Sequence, residues 1–119
     1  MPSALLSAPA PAFARSARAR LLRLAHGFPV VVLAGPRQSG KTTLARSAFP
    51  RHAYVSLEEL DTRAQASADP RGFIERWRGG VVIDEVQHVP QLLSYLQTEA
   101  DASREMGRFI LTGSQNLLL

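Results

Sequence analysis

A chain of 119 residues holds one domain with a single buried core and leaves no room for two. Hydrophobic residues at 45% and charged residues at 20% match an ordinary soluble globular protein, no apolar run nears the ~20 residues that span a bilayer, and no membrane partner is expected. The net charge is +4, and the absence of cysteine excludes a disulfide framework, a thiolate nucleophile and a cysteine-ligated metal, as a reducing cytoplasmic location would have it.

Residues 1–14 are rich in Ala, Pro and Ser and are predicted to be disordered, so the domain is expected over 15–119. Across residues 13–26, Ala17, Leu21 and Leu24 recur at helical spacing, arginines fill the other face, and Gly27 stands where a helix stops. Pro29 opens Val30-Val31-Val32-Leu33-Ala34, a β-branched run that predicts a buried strand. A glycine-rich loop leads into a helix over about 41–48, ended by Pro50. Residues 53–57 suit a second strand, and 58–66 a polar helix or an ordered loop. Asp69-Pro70 makes an N-cap and first-turn pair before the apolar stripe Phe73, Ile74 and Trp77, which Gly79-Gly80 stops. Val81-Val82-Ile83 predicts a third strand ending in Asp84-Glu85. Pro90 opens a helix with Leu92, Leu93, Leu96 and Ala100 on one face, and Arg108-Phe109-Ile110-Leu111 predicts a fourth strand closed by Thr112-Gly113-Ser114. Apolar strands alternating with amphipathic helices make this an α/β chain: a three-layer α/β/α fold around a parallel sheet.

Gly35-Pro36-Arg37-Gln38-Ser39-Gly40-Lys41-Thr42 matches the P-loop pattern G-x-x-x-x-G-K-[ST] in full. Glycines at 35 and 40 allow the backbone angles that turn successive N–H groups onto a phosphate, and a helix starting near Lys41 aims its positive end there. Lys41 is expected to reach the β- and γ-phosphates, the Thr42 hydroxyl to ligate Mg²⁺, and Thr43 to add a phosphate contact. The run therefore makes Gly35, Pro36, Arg37, Gln38, Ser39, Gly40, Lys41, Thr42 and Thr43 the candidate nucleotide-binding residues.

Asp84 and Glu85 close an apolar strand at its C-terminal end, where α/β sheets bind ligands. Asp84 is expected to hold the Mg²⁺ shell through water, and Glu85 to orient or deprotonate an attacking water, help typically worth about 10²–10⁴-fold. Thr112 and Ser114 end the fourth strand, and either suits a hydroxyl beside the γ-phosphate or the water; a polar strand-to-loop turn explains each equally well. His26, His52 and His88 lack metal-ligand spacing and are expected at the surface, and Trp77 sits at core spacing.

These segments together resemble a known family. Gly35 to Leu44, Val82-Ile83-Asp84-Glu85-Val86-Gln87 and Phe109-Ile110-Leu111-Thr112-Gly113-Ser114, in that order, are similar to the prokaryotic AAA-type ATP-binding proteins, whose ATPase domain precedes a C-terminal domain of unknown function. Leu60-Asp61-Thr62-Arg63 and Asp69-Pro70 also fit, while Ser39 departs from the family's more frequent valine. The resemblance implies ATP rather than GTP, Walker A at Gly35 to Thr42, Walker B at Asp84 and Glu85, and a sensor residue at Thr112 or Ser114. It implies an AAA-like sheet in order 5-1-4-3-2, counted from the strand that feeds the P-loop, and a homo-oligomer as one partner state. The sequence stops soon after the fourth strand, so the fifth strand, lid and arginine finger are expected to be missing and the edge of the first strand to be unpaired. An N-terminal fragment or truncated product is the expectation, with hydrolysis depending on C-terminal parts.

Two alternatives belong beside the ATPase. One is a non-hydrolysing, nucleotide-gated switch or interaction module. The other draws on charge: residues 1–57 carry eight basic side chains and no acidic one, a pattern that fits nucleic acid as a partner but fits an arginine-rich amphipathic helix better.

Overall fold

Residues 3–7, 14–36 and 39–114 are described by the computed structural model. In chain order the elements are β1 (Ser3–Ser7), α1 (Ala14–Gly27), β2 (Val30–Ala34), α2 (Lys41–Ala48), β3 (Ala53–Ser56), α3 (Leu60–Ala68), α4 (Pro70–Glu75), β4 (Val81–Asp84), a single 3₁₀ turn (Val86–His88), α5 (Leu92–Ser103) and β5 (Phe109–Gly113). The five strands form one parallel sheet in the order β1-β2-β5-β4-β3.

The alternation of side chains along each strand divides the core into two layers. Val30 and Val32 of β2, Val81 and Ile83 of β4, and Phe109 and Leu111 of β5 point to one face, where Ala66, Phe73, Ile74, Leu92, Leu96 and Ala100 of α3, α4 and α5 cover them. Val31, Leu33, Val82 and Ile110 point to the other face, under Ala17, Leu21 and Ala25 of α1 and Leu44, Ala45 and Ala48 of α2. Because both faces are covered, the central strands carry no polar alternation and read as continuous apolar runs. Leu21, Leu33, Ile83, Leu96, Ile110 and Leu111 are all at 0% exposure, each worth about 1.5–3 kcal/mol of burial.

The predicted order of the four expected strands holds: β2, β5, β4 and β3 stand side by side. Two expectations are corrected. Residues 3–7 are not disordered but form β1; the rest of 1–13 lies outside the described residues. The edge of β2 is also not open, because β1 pairs along it from Ser3↔Val30 to Ser7↔Ala34. The physical reason is common to both. An edge strand exposes a row of unpaired N–H and C=O groups, and a short segment that carries no charged side chain and a small Ala4 side chain satisfies them. Ala4 is buried in the layer beneath α1, and the Gln97 side-chain amide of α5 donates to the Ser3 hydroxyl.

Local details follow the residues. The Asp69 side chain accepts the Gly72 N–H at 3.1 Å and caps α4, whose first residue is Pro70. Residues 60–68 are helical, which settles the choice between helix and loop there. Trp77 lies just beyond α4 and meets Phe73 edge-on at 6.1 Å, as core packing. His26 is exposed as expected, but His52 is not a simple surface residue. Its Nε2 lies 2.7 Å from the Gly107 carbonyl, and a Cβ at Gly80 would come within 2.7 Å of that same nitrogen. Gly80, at φ 105°, is therefore required both by backbone angle and by the ring against it. No helix among the described residues is long and apolar enough to cross a membrane.

Candidate functional site

The glycine-rich loop follows β2 directly. Gly35 N–H donates to the Gly113 carbonyl at 3.1 Å, so the loop is tied to the end of β5 as it leaves the sheet. Arg37 and Gln38 lie outside the described residues. Gly40 takes φ 85° and ψ 6°, a left-handed turn that glycine adopts without strain, and α2 begins at the next residue. The Ser39 hydroxyl is buried and has no hydrogen-bond partner. Lys41 is only 3% exposed; its Nζ donates to the Pro36 carbonyl at 3.2 Å and lies 3.4 Å from Glu85 Oε1. Thr43 is exposed on the first turn of α2.

Asp84, at the C-terminal end of β4, is 8% exposed and accepts four hydroxyl hydrogen bonds. Thr42 Oγ1 at 2.5 Å and Thr112 Oγ1 at 2.6 Å donate to Oδ1. The Tyr54 phenol and Ser56 Oγ, each at 3.2 Å, donate to Oδ2. Two strands, β3 and β5, and helix α2 thus converge on one carboxylate at the end of β4. Burial, followed by the charge of Asp84, pushes the Tyr54 phenol above its ordinary value, and the Arg46 guanidinium stacks 4.1 Å from that ring.

Glu85 is the next residue and points elsewhere. Its backbone is left-handed at φ 57° and ψ 51°, a conformation that costs a non-glycine residue about 1–3 kcal/mol. The turn is held by its own N–H, which donates to Thr112 Oγ1 at 3.1 Å. The carboxylate accepts from Ser114 Oγ at 2.9 and 2.6 Å and from Gln87 Nε2 at 2.7 Å, beside Lys41. Burial pushes this carboxyl up, but the Ser114 and Gln87 hydrogen bonds and the Lys41 charge outweigh it and hold the group below the ordinary glutamate range.

All the described candidates therefore meet at one end of the sheet, at the C-terminal ends of β2, β4 and β5. A cleft of about 460 Å³ opens there, lined by Gly40, Lys41, Thr42, Thr43, Asp84 and Glu85 among others. A second cavity of about 330 Å³, between α4 and α5, contains none of them. Tyr54, Ser56 and Gln87 are the participants that sequence analysis missed. Tyr54 and Ser56 are two apart on β3 and so share a face, but only the pairing Ser56↔Asp84 reveals that the face looks at the acid. Gln87 also accepts the Ser114 N–H through Oε1 at 3.3 Å, so its amide joins the β4 turn to the end of β5. Donor atoms of Glu58, Glu85 and His88 lie within 4.8 Å of one another, brought together from residues up to thirty positions apart, a grouping that sequence spacing does not show.

Comparison with known proteins agrees with this architecture. Residues 27–119 match a family model described as an AAA domain. An uncharacterized protein of Mycobacterium tuberculosis is 39% identical over 103 residues, which is 84% of this chain and 23% of the relative. An uncharacterized protein of Mycobacterium bovis matches with the same identity and coverage. The chain thus spans about a quarter of the length of these curated relatives, and no solved structure matches it. With the family model covering residues 27–119, the chain belongs to the AAA domain family.

Proposed function

We propose that the cleft binds ATP with Mg²⁺ and that the assembled site hydrolyses it. The observation that carries this reading is the convergence of Lys41, Thr42, Asp84, Glu85, Thr112 and Ser114 behind a loop turned by Gly40. The donor set fits the ligands: Thr42 and Asp84 offer oxygens alone, which a hard cation requires, and the unpartnered Ser39 hydroxyl and Lys41 ammonium suit a phosphate chain. In this reading Gly35 to Thr43 wrap the phosphates, Arg37 and Gln38 included, while Thr42 and Asp84 hold the Mg²⁺. The metal would supply neutralisation of developing charge. Lys41 moves from Glu85 to the phosphates, and the carboxylate so released orients a water. Ser114 and Gln87 keep that carboxylate aimed, and Thr112 fixes the backbone that presents it. Cytoplasmic location is proposed with the need for ATP, and association of copies with the resemblance; gel filtration with and without Mg-ATP tests the latter.

Binding and turnover are separate claims. Mg-ATP should raise the melting temperature of the wild-type chain, and Lys41→Ala should abolish the rise. A melting curve that ATP leaves unmoved would sink the binding claim. For turnover, Glu85→Gln should retain the ATP-dependent rise and lose phosphate release. The second reading, a non-hydrolysing nucleotide-gated switch, is favoured by the hydrogen bonds that already occupy the Glu85 carboxylate. It prevails if wild type and Glu85→Gln release phosphate equally slowly while both bind.

A further inference from the structure

The sheet separates charge as well as core. On one side stand α1 and α2, drawn from residues 1–57, which hold no acidic residue. On the other stand α3, α4 and α5, where acidic and basic residues mix. Along α1 the buried stripe is Ala17, Leu21 and Ala25; Arg15, Arg18, Arg20 and Arg23 all lie off it and are exposed. Arg46 of α2 and Arg51 just beyond it are exposed too. Arg18 donates to the Ser47 carbonyl at 3.4 Å, which links the two helices into one surface. The ion pairs Lys41–Glu85, His88–Glu58 and Arg108–Glu99 lie in the nucleotide cleft, at its edge or on the opposite side of the sheet.

We propose that this α1–α2 face binds duplex nucleic acid through its phosphate backbone, without reading sequence. The cations are arginines throughout, whose planar, five-donor guanidinium matches phosphate oxygens in pairs. From Arg15 to Arg23 the helix rises about 12 Å, close to the width of the major groove of B-form DNA, so side chains at its two ends reach the phosphates on both walls. Two features decide between anionic partners. Among the described residues the exposed large apolar side chains are Tyr54, Leu60, Tyr95 and Met106, none on α1 or α2, so none of them inserts into a lipid surface from this face. Phe28 and Phe49, which follow α1 and α2 directly, are half-buried against the core, and the exposed Tyr54 ring is covered by Arg46, so among the described residues this face offers no stacking platform for single-stranded bases. The proposal rests on this charge separation alone and stands or falls independently of the ATP site.

The test is fluorescence anisotropy of the whole chain with a labelled 30-base-pair duplex of arbitrary sequence. Four phosphate contacts give a slope of about −3 to −4 for the logarithm of the binding constant against the logarithm of salt concentration. Arg15→Glu/Arg20→Glu/Arg23→Glu should weaken binding at least about tenfold and flatten the slope by about 2–3, since each lost contact removes about one. These side chains are exposed, so the variant should melt as wild type does. Arg71→Glu/Arg78→Glu, the control on the opposite side, should bind nearly as well as wild type. The proposal is overturned by a salt-independent signal, by no binding at 50 mM salt, by equal loss in both variants, or by stronger binding to phosphatidylserine vesicles than to duplex. If the triple variant does not melt cooperatively, the wild-type slope and the vesicle comparison decide alone.

Discussion

Thr112 serves Asp84 and Glu85 at once: its hydroxyl donates to Asp84 Oδ1 at 2.6 Å and accepts the Glu85 N–H at 3.1 Å. One fully buried side chain on β5 thereby fixes two adjacent acids that face different ways. Thr112→Val keeps the shape and removes both bonds. It leaves a buried N–H without a partner and a carboxylate one donor short, so a loss of about 1–3 kcal/mol is expected by urea denaturation. On the proposed ATPase reading, hydrolysis should fall further than stability, because the left-handed turn at Glu85 loses its tether.

On the same reading, Gln87 should separate binding from catalysis. Among the described residues, its amide hydrogen-bonds to the Glu85 carboxylate and the Ser114 N–H and to neither Asp84 nor the described part of the glycine-rich loop. Gln87→Ala is expected to leave KM for ATP within about twofold and to lower kcat by about tenfold, the direction for an interaction that matters only in the transition state. A raised KM with kcat unchanged would assign Gln87 to nucleotide binding instead.

Glu85 also sets an acid limit to stability. Its folded pKa lies below the unfolded one, so its contribution is fully present above the ordinary glutamate pKa of about 4.3. It is lost as pH falls through the depressed folded value. Urea denaturation between pH 3 and 6 should therefore show a steeper acid loss for wild type than for Glu85→Gln. Parallel curves would mean that the Ser114 and Gln87 bonds do not favour the ionised form.

The His52 ring ties the segment after α2 to the turn before β5, through Nε2 and the Gly107 carbonyl at 2.7 Å. His52→Ala removes the bond and the ring packed on Gly80, and about 1–2 kcal/mol of destabilisation is expected. Gly80→Ala should cost at least as much, since it adds a Cβ against that ring at a positive φ.

Strand β1 offers a last test. Ala4→Asp puts a carboxylate under α1 in an apolar layer, at a cost of about 1–3 kcal/mol, and should release β1 from β2. A drop of several degrees in melting temperature, with light scattering on heating from the bared edge, is the expected outcome. An unchanged melt would show that β1 contributes nothing to the sheet.

Much of this protein was readable from its sequence because the signals are local. The glycine-rich run from Gly35 to Thr42 needs only neighbouring residues to turn a loop into a helix, and the runs at Val30, Val81 and Phe109 announce strands buried on both faces. Asp84-Glu85 and Thr112 declared themselves by standing at strand ends. Tertiary structure decided what depends on register and on pairs distant in sequence. Only the pairing of β3 with β4 brings Tyr54 and Ser56 to Asp84. Only the approach of β5 to the β4 turn lets Gln87 and Ser114 share Glu85. The occupant of the β2 edge was equally hidden, because backbone hydrogen bonds of a parallel edge strand demand little of its side chains, and composition alone reads Ser3–Ser7 as disorder.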